Sequence, residues 1–264
     1  SESVLKHVHV TSTEDAQGAV HTVVTGPMGV RLLTLKTWRD ADKKIRSELA
    51  GPFKARFEKQ ADAFLAVINS LKIIAEKNGK NYYNLYNPGM PTPPAMRHLE
   101  RKLRTMAEKI VFPGTCTLSI TPRCPCKCVH CSADRFVTEK RRELVTDELK
   151  SVVDQAVDLG VSNVVFTGGE PMVRQDLYDL IAHVDKTRAH VMIFTSGVLL
   201  TDKNVERLAA AGLDSLNVSI DADSAARHDE LRRMPGAFQK AFEGARRARA
   251  AGILTGISTY GSHE

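Results

Sequence analysis

The chain has 264 residues, 42% of them hydrophobic and 26% charged, with 37 basic and 31 acidic side chains giving a formal charge of +6. This is ordinary globular composition, long enough for one large domain or a domain with an appendage and able to bury a core without disulfide staples. The mild basic excess gives no indication of a nucleic-acid partner. No stretch approaches the roughly 20 apolar residues of a membrane span, and the polar start, Ser1 to Thr13, lacks a hydrophobic signal region, so a soluble, cytoplasmic protein is expected.

In chain order, three β-branched patches come first: Val8 to Thr11, Val20 to Thr25 and Val30 to Leu35. Turn formers such as Gly26-Pro27 and Gly29 separate them, which predicts a small antiparallel sheet. Between Phe53 and Glu76, the residues Phe53, Phe57, Phe64, Ile68 and Leu71 fall on one face of a helix, most simply a core stripe. Asn78 to Pro94 carries Pro88-Gly89, Pro91 and Pro93-Pro94 and is expected to be irregular. A second amphipathic helix follows, from about Ala95 to Ile110. Residues 1–110 are thus expected to form a smaller N-terminal α+β appendage, and residues 111–264 the core.

The core alternates strands and helices. Strand candidates are Thr115 to Ile120, Asn163 to Thr167, Val191 to Thr195, Ser215 to Ile220 and Leu254 to Thr259. Thr146 and Asp202 are positioned to open helices that stop at Gly160 and Gly212. Another helix passes through Leu177, Leu180, Ile181 and Val184, and another runs through Phe238 and Ala241 to Gly252. Alternation of this kind implies parallel strands joined by right-handed crossovers, in an α/β sheet or a partial barrel. In either, chemistry sits at the carboxyl ends of the strands, here Thr121 to Cys131, Gly168 to Pro171, Ser196-Gly197 and Asp221.

All five cysteines lie between Cys116 and Cys131, four of them from Cys124 to Cys131, which is crowding suited to metal or redox chemistry rather than to loop-closing disulfides. Cys124, Cys128 and Cys131 form CxxxCxxC. Three thiolates on a four-iron cluster leave one iron open to a small molecule, whereas closed clusters take four cysteines. A zinc site completed by Cys126 or His130 is the alternative, but structural zinc usually draws a second ligand pair from a distant hairpin, and the sequence has no second CxxC or HxxxH. In Gly168-Gly169-Glu170-Pro171 the glycines permit close backbone approach to a ligand. Glu170 or main-chain carbonyls can accept hydrogen bonds from an ammonium, and the bland alternative is a plain strand-to-helix turn.

CxxxCxxC after the first strand of an α/β repeat, with Gly168-Gly169-Glu170-Pro171 after the second, resembles the radical S-adenosylmethionine (radical SAM) superfamily over about Cys116 to Tyr260. The resemblance implies a partial (β/α)6 TIM-like barrel whose [4Fe-4S] cluster is held by Cys124, Cys128 and Cys131. In that family the open iron chelates S-adenosylmethionine. An electron delivered by a carrier such as flavodoxin or ferredoxin cleaves it to a 5′-deoxyadenosyl radical that takes a hydrogen atom from the substrate. Thr195-Ser196-Gly197 resembles the family's Thr-Asn-Gly turn, with Ser196 in place of asparagine. Ser219-Ile220-Asp221 resembles a Ser-Ile-Asp segment of peptide-modifying relatives, which places Ser219 at the cofactor's carboxylate or ribose and leaves Asp221 as a contact or a turn cap. Arg232 stands where relatives often carry a carboxylate-binding arginine, the alternative being a solvated basic loop. His130 stands where an aromatic usually packs near the adenine.

The chain departs from the family in two ways: five strands are countable where the barrel has six, and no cysteine follows Cys131 to hold auxiliary clusters. The expected substrate is a peptide or a small molecule, with peptide or protein modification favoured by the Ser-Ile-Asp and Arg-Met-Pro-Gly features and cofactor or metabolite biosynthesis as the alternative. Residues 1–110 match no motif of the family and are expected to serve as a lid or recognition module over the barrel, or as an inert cap.

Overall fold

The computed structural model describes residues 8–109, 111–133 and 142–261. Two compact units partition the chain. One comprises the chain up to Gly114 with residues 156–163 and 186–190, and the other comprises residues 115–155, 164–185 and those from Val191 onward.

In the first unit the alternation of buried and exposed residues produces a four-stranded antiparallel meander in the order β1-β2-β3-β4: His9–Glu14, Val20–Thr25, Arg31–Arg39 and Ile45–Ala50. Val20, Val24, Leu33, Leu35 and Ile45 supply the buried face. The sequence predicts the first three strands, the third starting one residue earlier and ending at Leu35, but not β4. Only Ile45 of that edge strand is buried, and Arg46 and Glu48 are exposed. Helix α1, Lys54–Ser70, has no buried residue. Its expected core stripe is only partly covered, with Phe64 and Leu71 37% and 45% exposed. An apolar cavity of about 100 Å³ lies among Leu33, Leu35, Phe57, Phe64, Met96 and Leu99.

Strand β5 (Ala75–Lys77) lies at the end of the segment expected to be helical, where α1 has already stopped, and β6 (Lys80–Tyr82) in the stretch expected to be irregular; they form a hairpin through Asn78-Gly79, both at positive φ, as tight hairpin turns require. Helix α2, Pro93–Glu108, starts two residues earlier than expected because the Thr92 hydroxyl accepts from the Ala95 amide while Pro93 and Pro94 occupy donor-free first-turn positions. The expected end at Ile110 lies outside the described residues.

The second sheet has the order β11-β10-β9-β8-β7, where β7 is Thr115–Ser119, β8 Asn163–Thr167, β9 His190–Thr195, β10 Ser215–Ser219 and β11 Leu254–Ser258. All five match the expected strands within a residue at either end. β10 pairs in parallel with both β9 and β11. An order that follows the sequence without reversal is barrel winding, whereas a doubly wound sheet reverses at a switch point. The architecture is α/β, a partial TIM-like barrel. Phe166, Met192, Ile193 and Leu216 are fully buried, as parallel strands covered on both faces must be.

The connecting helices are α3 (Thr146–Asp158), α4 (Leu177–His183), α5 (Asp202–Ala210), α6 (Ala225–Arg232) and α7 (Ala237–Ala250). Two expected caps are corrected. Thr146 lies inside α3 and its hydroxyl donates to Asp176 at 2.6 Å, while Thr201, not Asp202, caps α5 by accepting from the Asn204 amide. Among the described residues no helix is long and apolar enough to cross a membrane.

Candidate active site

The cysteine loop leaves the carboxyl end of β7 and is held from two sides. On one side, the Gly169 amide donates to the Thr121 carbonyl at 2.7 Å and the Glu170 amide to the Arg123 carbonyl at 2.8 Å. This contact explains the two glycines. A Cβ on Gly168 would lie 2.3 Å from the Thr121 carbonyl oxygen, and one on Gly169 would lie 2.4 Å from that of Arg123. Gly168 also has φ +148°, where an L side chain is strained. The close approach expected toward a ligand is therefore, in this structure, an approach of β8's end to the root of the cysteine loop. On the other side, the Lys127 and Val129 amides donate to the Arg232 and Leu231 carbonyls at 3.1 and 2.9 Å, pinning the loop to the last turn of α6.

Glu170 is wholly buried and accepts four hydrogen bonds: Met172 N at 3.1 Å and Thr195 Oγ1 at 2.8 Å on Oε1, and Ser196 N at 2.7 Å and Ser196 Oγ at 2.5 Å on Oε2. Burial pushes its carboxyl pKa up, and the bonds from Ser196, Thr195 and Met172 pull against that rise. The carboxylate ties the end of β8 to the end of β9, and Ser196 is engaged by it through both its amide and its hydroxyl.

Cys126 is buried with Val198 and Ala237, and Cys124, Cys128, Leu199 and Met234 pack around them. The Cys126 sulfur lies 3.6 Å from that of Met234. Hydrogen bonds to the sulfurs of Cys124 and Cys128, with burial, push the Cys126 thiol far up. The same contacts lower its neighbours. Cys128 falls to about 6 through the Cys126 hydrogen bond, then the Arg232 charge and hydrogen bond and the His130 charge, against burial. Cys124 is also lowered, chiefly by its Cys126 hydrogen bond. Cys131 is exposed, one turn further on, with its amide donating to the Cys128 carbonyl. Cys116 is half-buried in β7, and burial raises its thiol.

Asp221, Arg232, Tyr260 and His228 meet around His130 of the loop. Asp221, following β10, has a side chain only 3% exposed; its Oδ2 lies 2.7 Å from Arg232 Nη2 and 3.2 Å from His130 Nε2. Oδ1 accepts from the Tyr260 amide at 3.2 Å, and the Asp221 amide donates to Nδ1 of buried His228 at 3.1 Å. The His130 ring stacks on Tyr260, centroids 4.7 Å apart and planes inclined by 14°. Arg232 is the last residue of α6 with its side chain 11% exposed, which corrects the solvated-loop alternative. Ser219 ends β10, half-buried. Tyr260 and His228 were not singled out from the sequence, although Tyr260 also follows a strand's carboxyl end and the same rule points to it.

The chemistry of the donor set fits a cysteine-ligated cluster with polar groups beside it, although among the described residues no three metal-ligating side chains are drawn together as a group. The donor set is three thiols on one short loop, two of them with lowered pKa. Beside them, Arg232 Nε and His130 Nδ1 are buried without a hydrogen-bond partner among the described residues, and Asp221 Oδ2 is buried with ion-pair contacts to Arg232 Nη2 and His130 Nε2 but no hydrogen bond. Of the two proposed fourth zinc ligands, His130 is held between Asp221 and Tyr260, while Cys126 is buried beside Val198 and Ala237 with its sulfur against those of Cys124 and Cys128.

Comparison with known proteins agrees with this reading. The AdoMet-dependent heme synthase of Nitratidesulfovibrio vulgaris is 36% identical over 148 residues, 55% of this chain and 40% of the relative. The PqqA peptide cyclase of Granulibacter bethesdensis is 37% identical over 134 residues, 51% of this chain and 36% of the relative. The chain thus spans about two-fifths of the length of these curated relatives. The crystal structure of Streptococcus suis SuiB bound to precursor peptide SuiA shares the fold with a TM-score of 0.53 and 17% identity, over 98% of this chain and 57% of that one. SuiB has also been solved bound to S-adenosylmethionine, with a TM-score of 0.51, 16% identity, and coverage of 98% of this chain and 58% of that one. The cofactors of this fold family are a [4Fe-4S] cluster and S-adenosylmethionine. Residues 118–264, more than half of the sequence, match the model of the Radical SAM superfamily, and the chain belongs to that superfamily.

Proposed function

We propose that this protein is a radical SAM enzyme in which Cys124, Cys128 and Cys131 ligate a [4Fe-4S] cluster and S-adenosylmethionine binds at the open iron, against the main chain of Gly168 to Pro171 and against Ser219, with the Glu170–Ser196 bonds bracing that turn and Asp221, Arg232 and His130 at the mouth. The observation that carries the reading is the cysteine loop itself, clamped between the end of β8 and the last turn of α6. When bound, cluster and cofactor supply a 5′-deoxyadenosyl radical that abstracts hydrogen from an unactivated C–H bond. The chain's own part is to position and to exclude water. Glu170 locks two strand ends, the stacked His130 and Tyr260 rings wall the mouth, and the Asp221 pairs hold that wall in place. Electrons come from a carrier of the flavodoxin or ferredoxin type, and the location is cytoplasmic.

The substrate we propose is a peptide or protein segment. It is supported by the Ser219-Ile220-Asp221 and Arg232 to Gly236 segments and by the naming of two similar proteins as a peptide cyclase and a precursor-peptide complex. Residues 1–110 then act as the recognition module or lid. The second reading, biosynthesis of a cofactor or small metabolite, is favoured by similarity to relatives named heme synthases. Anaerobic incubation of the reconstituted protein with S-adenosylmethionine, a reductant and the peptide encoded beside its gene tests the choice. Release of 5′-deoxyadenosine together with a mass change in the peptide is expected, and turnover of a tetrapyrrole with the peptide unchanged would establish the second reading instead.

A further inference from the structure

Arg232 lies across the cysteine loop. Its Nη1 is 3.5 Å from the Cys128 sulfur and its Nη2 is 2.7 Å from Asp221 Oδ2, with the two side chains 11% and 3% exposed. Little freedom attaches to this arrangement. The main-chain bonds from Lys127 and Val129 to the last turn of α6 fix the loop and the arginine's backbone together. Asp221 is itself held by the Tyr260 amide and the His130 ring. A guanidinium presents its donors in a rigid planar fork, so anchoring one arm on a carboxylate aims the other.

We propose that Arg232 is a positioning residue that sets the reduction potential of the cluster by donating a hydrogen bond to the Cys128 ligand sulfur, with Asp221 keeping the fork on that sulfur. The proposal rests on the assignment of Cys128 as a ligand. A sulfur that accepts an N–H bond donates less charge to iron, and a neighbouring cation favours the more negative, reduced cluster. Both effects raise the potential. The carboxylate of Asp221 neutralises part of the cation's field, but the N–H···S bond remains. This role differs from that of an arginine reserved for the cofactor's carboxylate, which would act on affinity and leave the potential of the cofactor-free cluster untouched.

The test is an anaerobic redox titration, followed by electron paramagnetic resonance without S-adenosylmethionine, on the reconstituted wild type, Arg232→Gln and Arg232→Lys, with iron content measured on each and on Cys128→Ala. Arg232→Gln is expected to keep wild-type iron and to show a more negative midpoint, with Arg232→Lys between it and the wild type. A wild-type midpoint in Arg232→Gln accompanied by weakened S-adenosylmethionine binding overturns the proposal and gives the arginine to the cofactor. Should Arg232→Gln hold no iron, Arg232→Lys carries the reading, and a wild-type midpoint there overturns it. Wild-type iron in Cys128→Ala overturns the ligand assignment, and the proposal with it.

Discussion

Replacing Glu170 probes the joint between β8 and β9. In Glu170→Ala the two main-chain amides of Met172 and Ser196 lose their acceptor and cannot turn elsewhere, whereas the Thr195 and Ser196 hydroxyls can rotate. At about 1–3 kcal/mol for each orphaned buried donor, the two amides alone account for a loss of about 2–6 kcal/mol. Glu170→Gln keeps one acceptor oxygen and sets an NH2 group against the other amide, so its loss is about 1–3 kcal/mol. The pH dependence carries a definite sign. Because burial raises the folded-state pKa above its ordinary value of 4.5, the unfolded chain releases its proton first, and wild-type stability falls as pH rises from about 4.5 through the raised value. Glu170→Gln lacks that fall, so the wild-type advantage over it is largest near pH 4.5 and shrinks above. Urea unfolding of the apo-proteins at a series of pH values, with midpoints compared at constant m, measures both effects. An alanine variant within about 0.5 kcal/mol of wild type, the range of an ordinary surface substitution, would show that Glu170 does not hold this joint, as would a gap to glutamine that does not change with pH.

Other substitutions test other parts of the site. Gly169→Val forces a side chain against the Arg123 and Pro122 carbonyls, so iron content after reconstitution is expected to fall together with S-adenosylmethionine affinity; iron at the wild-type level would detach this glycine from the cysteine loop. Cys126→Ala removes a buried thiol that is no ligand in this account; iron content and cofactor cleavage persist, with about 1 kcal/mol lost to the small cavity, and a colourless variant would show the ligand register to be wrong. Arg174, 7% exposed, holds both oxygens of Asp176 and the Ile120 and Leu144 carbonyls, so Arg174→Met is expected to lose about 3–5 kcal/mol in urea unfolding. Its hydrogen bonds hold the Asp176 pKa at about 2, so that contribution is present at neutral pH and is lost as pH falls from about 4 toward 2; an Arg174→Met protein with unchanged acid sensitivity would contradict it.

Much of the barrel was legible because parallel strands covered on both faces are continuous apolar runs, as in Asn163–Thr167 and His190–Thr195, and because turn residues punctuate them. Strand β4 escaped notice because an edge strand with one buried residue carries almost no hydrophobic pattern. Helix α6 escaped for a similar reason. Its single buried residue is His228, so Arg232 read as part of a basic loop rather than as a helix terminus aimed at the cysteines. The ligand loop was legible from residue type and spacing alone. The work of Glu170 was not, since spacing offers a carboxylate to a ligand as readily as to a neighbouring strand, and only the four donors gathered by the fold decide between them. Tyr260 entered through stacking on a residue 130 positions earlier, a pairing that local pattern does not contain.

The proposed cluster is held by three cysteines and leaves one iron open to S-adenosylmethionine. This arrangement is tested most directly by anaerobic reconstitution followed by iron and sulfide analysis and electron paramagnetic resonance of the reduced protein with and without S-adenosylmethionine. A brown protein with about four iron per chain, a ratio set by cysteine-ligated four-iron chemistry, is expected, with a reduced-cluster signal that changes when the cofactor is added. A colourless protein carrying zinc, or a cluster whose signal is indifferent to S-adenosylmethionine, would contradict it.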